Sequence, residues 1–303
     1  SDDHFSIPLQ TLVKYQNNIN TGTATVKVEG KENYIGNNKM PYGWEEKLLL
    51  LNQEEPLATG FIYNNYCIGS GSGRQYFSDY NGQKIDAIRS RIEQWYWHKE
   101  IDDDMYYFLL CSLLESADKV ANTASVYGAF LKHLKRSAQS NIILQAASVE
   151  ATPNRGVVYN CDINRLIKEI KGDILYLDPP YNTRQFGANY HLLNTIAEYK
   201  PFRPKGKTGM REYQNSKFCS RKTVKQEFEY LISEADFPYI FVSYNNEGLM
   251  SLDEIKEIMS SYGVYHQVST NYQRFKADKD INRNIKSDST IEYLHILEKN
   301  IHQ

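Results

Sequence analysis

The residues best suited to chemistry are Asp178-Pro179-Pro180-Tyr181, which follow directly on the run Asp173-Ile174-Leu175-Tyr176-Leu177. That apolar run reads as a buried strand, and in open α/β sheets ligands bind beyond the carboxyl ends of the strands. Asp178 is therefore expected at a site rather than in the core. The two prolines stiffen the backbone and remove two N–H donors, leaving the Asp178 carboxylate and the Pro179 carbonyl as a rigid arc of acceptors. Such an arc suits an exocyclic amino group like that of adenine, whose nitrogen lone pair is delocalised into the ring. Two acceptors holding its two hydrogens favour a pyramidal nitrogen and free that pair for in-line attack on a sulfonium methyl. Catalysis of this kind works through positioning and electrostatics, without a covalent intermediate. Tyr181 adds a ring able to stack on a base rotated out of a duplex.

The elements that must position this arc change character along the chain. Phe5, Leu9, Leu12 and Val13 fall at helical spacing within residues 1–20; Thr23–Val28 is strand-like, and Gly36-Asn37-Asn38 signals a turn. From Asn81-Gly82 onward the pattern is helical, with Ile85, Ile88, Ile92 and Trp95 on one face and Lys84, Arg89 and Arg91 off it. A second helix is expected from an aspartate cap near Asp103 through Leu114, and a third helical segment from Val120 to Arg136. After about residue 140, short β-rich runs at Asn141–Leu144, Gly156–Tyr159, Asp173–Leu177 and Tyr239–Ser243 alternate with helical patterns at Ile163–Ile170, Tyr190–Tyr199, Val224–Ala235 and Leu252–Ser260. This alternation predicts an α/β fold with a mainly parallel sheet covered on both faces. Val264–Phe275 and Ser289–Leu297, with no helix between them, are expected to close it as an antiparallel hairpin.

Composition bounds the function. The 303 residues, 41% hydrophobic and 24% charged, suffice for one large or two small globular domains. No apolar run approaches the roughly 18 residues of a membrane span, and the polar start Ser1-Asp2-Asp3-His4 shows no signal-peptide pattern. Cys67, Cys111, Cys161 and Cys219 form no C-x-x-C pair, which argues against a zinc site and a disulfide framework and makes a reducing cytoplasm the expected setting. The net charge of −2 averages over an uneven distribution. Between Lys200 and Lys225 nine Lys or Arg stand against one acid, Glu212, and Arg274, Lys276, Lys279, Arg283 and Lys286 form a second cluster. Basic clusters of this kind are solvated loops or phosphate-facing surfaces; on the second reading Lys205, Lys207, Arg211, Arg221, Lys222, Arg274 and Lys276, with Lys132 in the helical part, meet DNA.

Beyond the tetrapeptide, Gly60-Phe61-Ile62-Tyr63, Lys84–Arg89, Ala117–Thr123, Tyr127–Lys132, Gly187–His191, Ser243–Leu249 and Arg274–Asp278 resemble the Dam-type class of adenine-specific DNA methyltransferases, in particular its restriction-modification branch. The resemblance covers nearly the whole chain. It implies a Rossmann-like sheet dependent on S-adenosylmethionine, ending in the hairpin, with a mostly helical DNA-recognition subdomain. On that basis residues 1–59 would be a partial N-terminal core segment, 60–140 the helical subdomain and 141–303 the catalytic core. It makes Asp178, Pro179, Pro180 and Tyr181 catalytic, with Asp178 also bordering the cofactor. Asp162 would contact the cofactor adenine, although its place before Ile163 equally makes it a helix N-cap. Asp3 would hold the cofactor ribose. Double-stranded DNA is the implied partner.

The family's glycine-rich cofactor loop has no counterpart before Asp3. The run Gly69-Ser70-Gly71-Ser72-Gly73 matches a different family segment and is expected to be a structural or DNA-facing loop. Without the central strand that accompanies the cofactor loop, the strand ending at Asp178 would expose an unpaired edge and an apolar face. A split enzyme completed by a second polypeptide, or a fragment of a longer one, follows as an expectation. An RNA adenine methyltransferase and a non-catalytic DNA-recognition subunit remain alternatives. A cytosine-ring methyltransferase would need a nucleophilic cysteine, typically after proline, and none of the four follows one. Protein glutamine methylation normally carries Asn where this chain has Asp178.

Overall fold

The computed structural model describes residues 33–35, 40–149, 157–273 and 289–300. The expected helix over 1–20, the run Thr23–Val28, the turn at 36–38, Asp3, and the cluster from Arg274 to Lys286 all lie outside the described residues. The elements are β1 (Asn33–Ile35), α1 (Trp44–Gln53), α2 (Phe61–Tyr66), α3 (Asp79–Trp97), α4 (Asp103–Val120), α5 (Arg136–Gln139), β2 (Val157–Tyr159), α6 (Ile163–Leu166), β3 (Ile174–Leu177), α7 (Phe186–Asn189), α8 (His191–Glu198), α9 (Val224–Glu234), β4 (Tyr239–Asn245), α10 (Leu252–Ser260), β5 (Gly263–Gln273) and β6 (Ser289–Lys299).

Buried side chains form two clusters. The first gathers α1 to α4 and α8, with Ile85, Ile88, Ile92 and Trp95 of α3 against Leu109, Leu110 and Leu113 of α4. Both long helices start at side-chain caps: Ser78 accepts from Asn81 N at 3.3 Å and Asp102 from Met105 N at 2.9 Å. Lys84 and Arg89, expected off the buried face, are instead 4% and 2% exposed. The reason is that α3 is covered on its flanks as well. Lys84 Nζ donates to the carbonyls of Asn52 and Glu54 at the end of α1. Arg89 donates to the last carbonyls of α8, Ile196 O at 3.0 Å and Ala197 O at 2.9 Å, and to Tyr106 Oη and Glu93.

Two segments differ from their sequence patterns for a common reason, the supply of backbone hydrogen bonds by polar side chains. After Val120 the chain leaves the helix, and Asn122 holds a loop open by donating to Gln75 O and Leu131 O and accepting from Lys135 N. Residues 141–147 join no sheet. Their N–H groups go to Asn81 Oδ1, Asn52 Oδ1, Ser116 Oγ and Ser112 Oγ, side chains of the helices beneath.

The second cluster lies under a four-stranded sheet of order β3-β4-β6-β5. Phe228, Leu231 and Ile232 of α9 and Ile255, Ile258 and Met259 of α10 pack on Leu175, Leu177, Ile240, Val242 and Leu297. A capping box of Ser251 and Glu254 starts α10. The sheet is mixed rather than mainly parallel. Among its described strands β3 and β4, joined through helices, pair in parallel, while β6 pairs antiparallel with both β4 and β5. The expected terminal hairpin is thus present. Val157–Tyr159 pairs with Asn33–Ile35 outside this sheet, and the expected helix over 163–170 is a single turn. Among the described residues β3 is an edge, and Ile174 and Tyr176 on its other face are 51% and 55% exposed.

Candidate active site

The tetrapeptide leaves the carboxyl end of β3 and is hung on the loop that follows β4. Tyr181 O accepts from Leu249 N at 3.0 Å. The same loop is gathered by Tyr244, whose hydroxyl accepts from Leu249 N at 3.1 Å and Met250 N at 3.3 Å. Its ring stands edge-on to Tyr181, with centroids 6.5 Å apart at 88°. Gly248 is required there, since a Cβ would fall 2.0 Å from Tyr244 Cε1. Tyr181 remains 42% exposed, as does much of Phe186, which stacks on Tyr190 at 5.8 Å. The exposed Tyr181 ring thus follows directly on two residues, Pro179 and Pro180, that carry no N–H donor.

Two carboxyls near the tetrapeptide are perturbed. Asp178 is reachable by solvent, yet protein crowding on its inner side holds its carboxyl above the usual range. Glu292, opposite Asn245 in the β4–β6 register, is also raised, first by burial and then by Asp178, while its hydrogen bond with Asn245 opposes the shift. Burial raises the Tyr181 phenol, with Glu292 and Asp178 adding to it. Sequence patterns point to no role for Tyr244, Asn245 or Glu292. Ser243-Tyr244-Asn245 is visible as a strand end, but nothing in Ile291-Glu292-Tyr293 signals proximity to Asp178.

The other residues singled out by sequence fall in different places. Asp162 is exposed and caps α6, accepting from Asn164 N at 3.0 Å and Arg165 N at 3.3 Å. With Asn164, Lys217 and Tyr230 it lines a cleft of 620 Å³, in which Asn164 Oδ1 is buried without a hydrogen-bond partner. Lys132, Lys207, Arg221 and Lys222 are exposed. Lys205 pairs with Glu212 at 2.6 Å on the surface. Arg211 is a different case, half-buried against the buried Glu198 at the end of α8. Asp3, Arg274 and Lys276 lie outside the described residues. The serine–glycine run makes a short 3-10 turn at Ile68–Ser70, with Gly69 N on Asp79 Oδ1 and Gly71 and Gly73 at φ +78° and +74°.

The comparisons with known proteins give the class of the chain. The chain belongs to the D12 class N6 adenine-specific DNA methyltransferases, whose family profile matches residues 28–264. It is 61% identical over 267 residues to the Type II methyltransferase M.NlaIII of Neisseria lactamica, covering 88% of this chain and 80% of that protein. It is 35% identical over 281 residues to the Type II methyltransferase M.FokI of Planomicrobium okeanokoites, covering 88% of this chain and 43% of that one. With the Type II methyltransferase M.CviAII of Paramecium bursaria Chlorella virus 1 it shares 37% identity over 227 residues, 75% and 68% of the two chains. No solved structure matches the chain. The enzyme is an adenine-specific DNA methyltransferase, and no helix among its described residues is long and apolar enough to cross a membrane.

Proposed function

We propose that the chain carries the catalytic centre of a Type II modification methyltransferase acting in the cytoplasm on duplex DNA, with S-adenosylmethionine as the methyl donor and a flipped adenine as acceptor. The observation that carries this reading is the exposed Asp178 at the strand end, followed by two prolines and the open ring of Tyr181. In this reading the Asp178 carboxylate and Pro179 carbonyl take the two amino hydrogens and Tyr181 stacks on the base. Asp178 then accepts the proton that the methylated nitrogen sheds. The residues present fit the donor. Two neighbouring carboxyls, Asp178 and Glu292, suit a sulfonium cation, and the Asp162 carboxylate with the orphaned Asn164 Oδ1 suits an adenine amino group. When bound, that donor supplies an electrophilic methyl.

The test is to incubate the chain with radiolabelled S-adenosylmethionine and plasmid DNA and to map methyladenine by sequencing. Label on adenine at a fixed sequence supports the reading, and activity of the chain alone removes the need for a second polypeptide. Label on RNA but not on DNA would overturn the DNA assignment, and none on either would leave a recognition subunit.

Two further results are expected. Tyr181→Ala should weaken productive base stacking by about 1–3 kcal/mol, with Tyr181→Phe and Tyr181→Trp keeping most activity. A Phe variant as impaired as Ala would assign the role to the hydroxyl. Neutralising Lys205 and Lys207 together should make log affinity for duplex DNA less steep against log salt, by about 0.9 for each phosphate no longer neutralised. An unchanged slope would make them solvated surface. Arg211 is left out because its removal strands the buried Glu198.

A further inference from the structure

The serine–glycine run and the three residues after it are not used by the chemistry, yet they connect two of the basic loops assigned to the proposed duplex with the segment that follows the tetrapeptide. Gly71 and Gly73 turn the chain at positive φ in open space and deliver Arg74-Gln75-Tyr76 between two exposed basic loops. On one side is the tight turn 205–210, closed by Lys205 N to Met210 O and Met210 N to Lys205 O, with glycines at φ +67° and +73°. The Arg74 guanidinium grips this turn from below, Nη2 on Gly206 O at 2.9 Å and Nε on Lys207 O at 3.2 Å, while Nη1 holds Asn65 O. Tyr66 Oη donates to Gly209 O at 2.7 Å. A side chain at Gly209 would meet both Arg74 and Tyr66 within 2.7 Å, so the turn is fitted to this seat.

On the other side Gln75 Nε2 donates to Leu131 O and Lys132 O, at 2.7 and 2.5 Å, fixing the loop that displays Lys132 and His133. Tyr76 Oη donates to Tyr127 O at 2.7 Å, which also meets His191 Nε2 at 2.9 Å. Tyr127 N in turn donates to Asn189 O at 2.7 Å, in the segment that runs on from the catalytic tetrapeptide. Three consecutive side chains thus hold two basic loops and the catalytic segment in one frame through main-chain carbonyls.

We propose that Arg74, Gln75 and Tyr76 are positioning residues that set the spacing of the two DNA-facing basic loops relative to the catalytic segment. The inference rests on the DNA methyltransferase reading. Arg74 spends its donors on carbonyls, so its effect on DNA would be exerted through Lys205 and Lys207 rather than by its own phosphate contact.

The experiment measures binding of a fluorescently labelled duplex as a function of salt. Arg74→Ala should flatten the salt slope by about 1–2, the change expected when one or two phosphates go without a basic partner. Lys205→Ala/Lys207→Ala should add little on that background. Arg74→Lys should not rescue, because a point ammonium cannot fork to the same carbonyls. Gln75→Ala paired with Lys132→Ala gives an independent cycle at the other loop, and it carries the test if Arg74→Ala fails to fold. Unchanged slopes, or effects that add fully in both cycles, overturn the proposal. Wild type that binds no duplex and methylates no adenine refutes the parent function instead.

Discussion

Asp178→Ala is expected to lower methyl transfer by roughly 10³-fold or more, the scale of losing a preorganised polar group at developing charge. Duplex affinity should stay within a few fold, because phosphate contacts dominate it. The variant should fold at least as stably as wild type. Burial raises the Asp178 carboxyl above its ordinary value, and such a group opposes folding at pH above its unfolded pKa. Removing it relieves that cost, so thermal melting should show no loss of stability alongside the loss of activity. The same shift sets the pH profile. Asp178 can take up the proton shed by the amino nitrogen only when its carboxyl is ionised, so activity should fall as pH drops through its raised pKa, above the usual carboxylate range. Single-turnover rates against pH, with thermal melting as the control, check both statements. Full activity in Asp178→Ala would remove it from the mechanism.

Arg89→Ala should be the most damaging substitution away from the site. Arg89 is 2% exposed, and truncating it leaves the Ile196 and Ala197 carbonyls, Tyr106 Oη and Glu93 without their shared donor. Each buried acceptor left unsatisfied costs about 1–3 kcal/mol, while the partly exposed Glu93 keeps Tyr106 and Trp97 as donors. Arg91→Ala is the matched control. It sits two residues along the same helix, pairs with Glu54 at 2.6 Å at the partly exposed surface, and should cost about 1 kcal/mol or less. Urea unfolding midpoints for the two variants decide it. Equal, small shifts would show that the end of α8 finds other donors.

Arg89 also shows where sequence patterns stop. A helical period reports which residues share a stripe, and it locates the buried face of α3 by Ile85, Ile88 and Ile92. It says nothing about the flanks, because what covers them is the end of α8, far along the chain. The same limit applies to residues 141–147. Their β-rich composition is real, but polar side chains of the helices take the hydrogen bonds that a neighbouring strand would have made.

The features legible in the chain were local ones: a strand ending at Asp178, the aspartate cap at Asp162, the helices of residues 191–198, 224–234 and 252–260, and the terminal hairpin. These depend on periodicity, proline geometry and capping, all set within a few residues. The family resemblance was equally plain because motif identity is linear. Folding in three dimensions added the rest: a small mixed sheet, Glu292 beside Asp178, Arg211 tied to Glu198, and a basic turn seated on Arg74. Each of these depends on strand order and on which distant segment packs against which, and neither leaves a periodic trace in the chain.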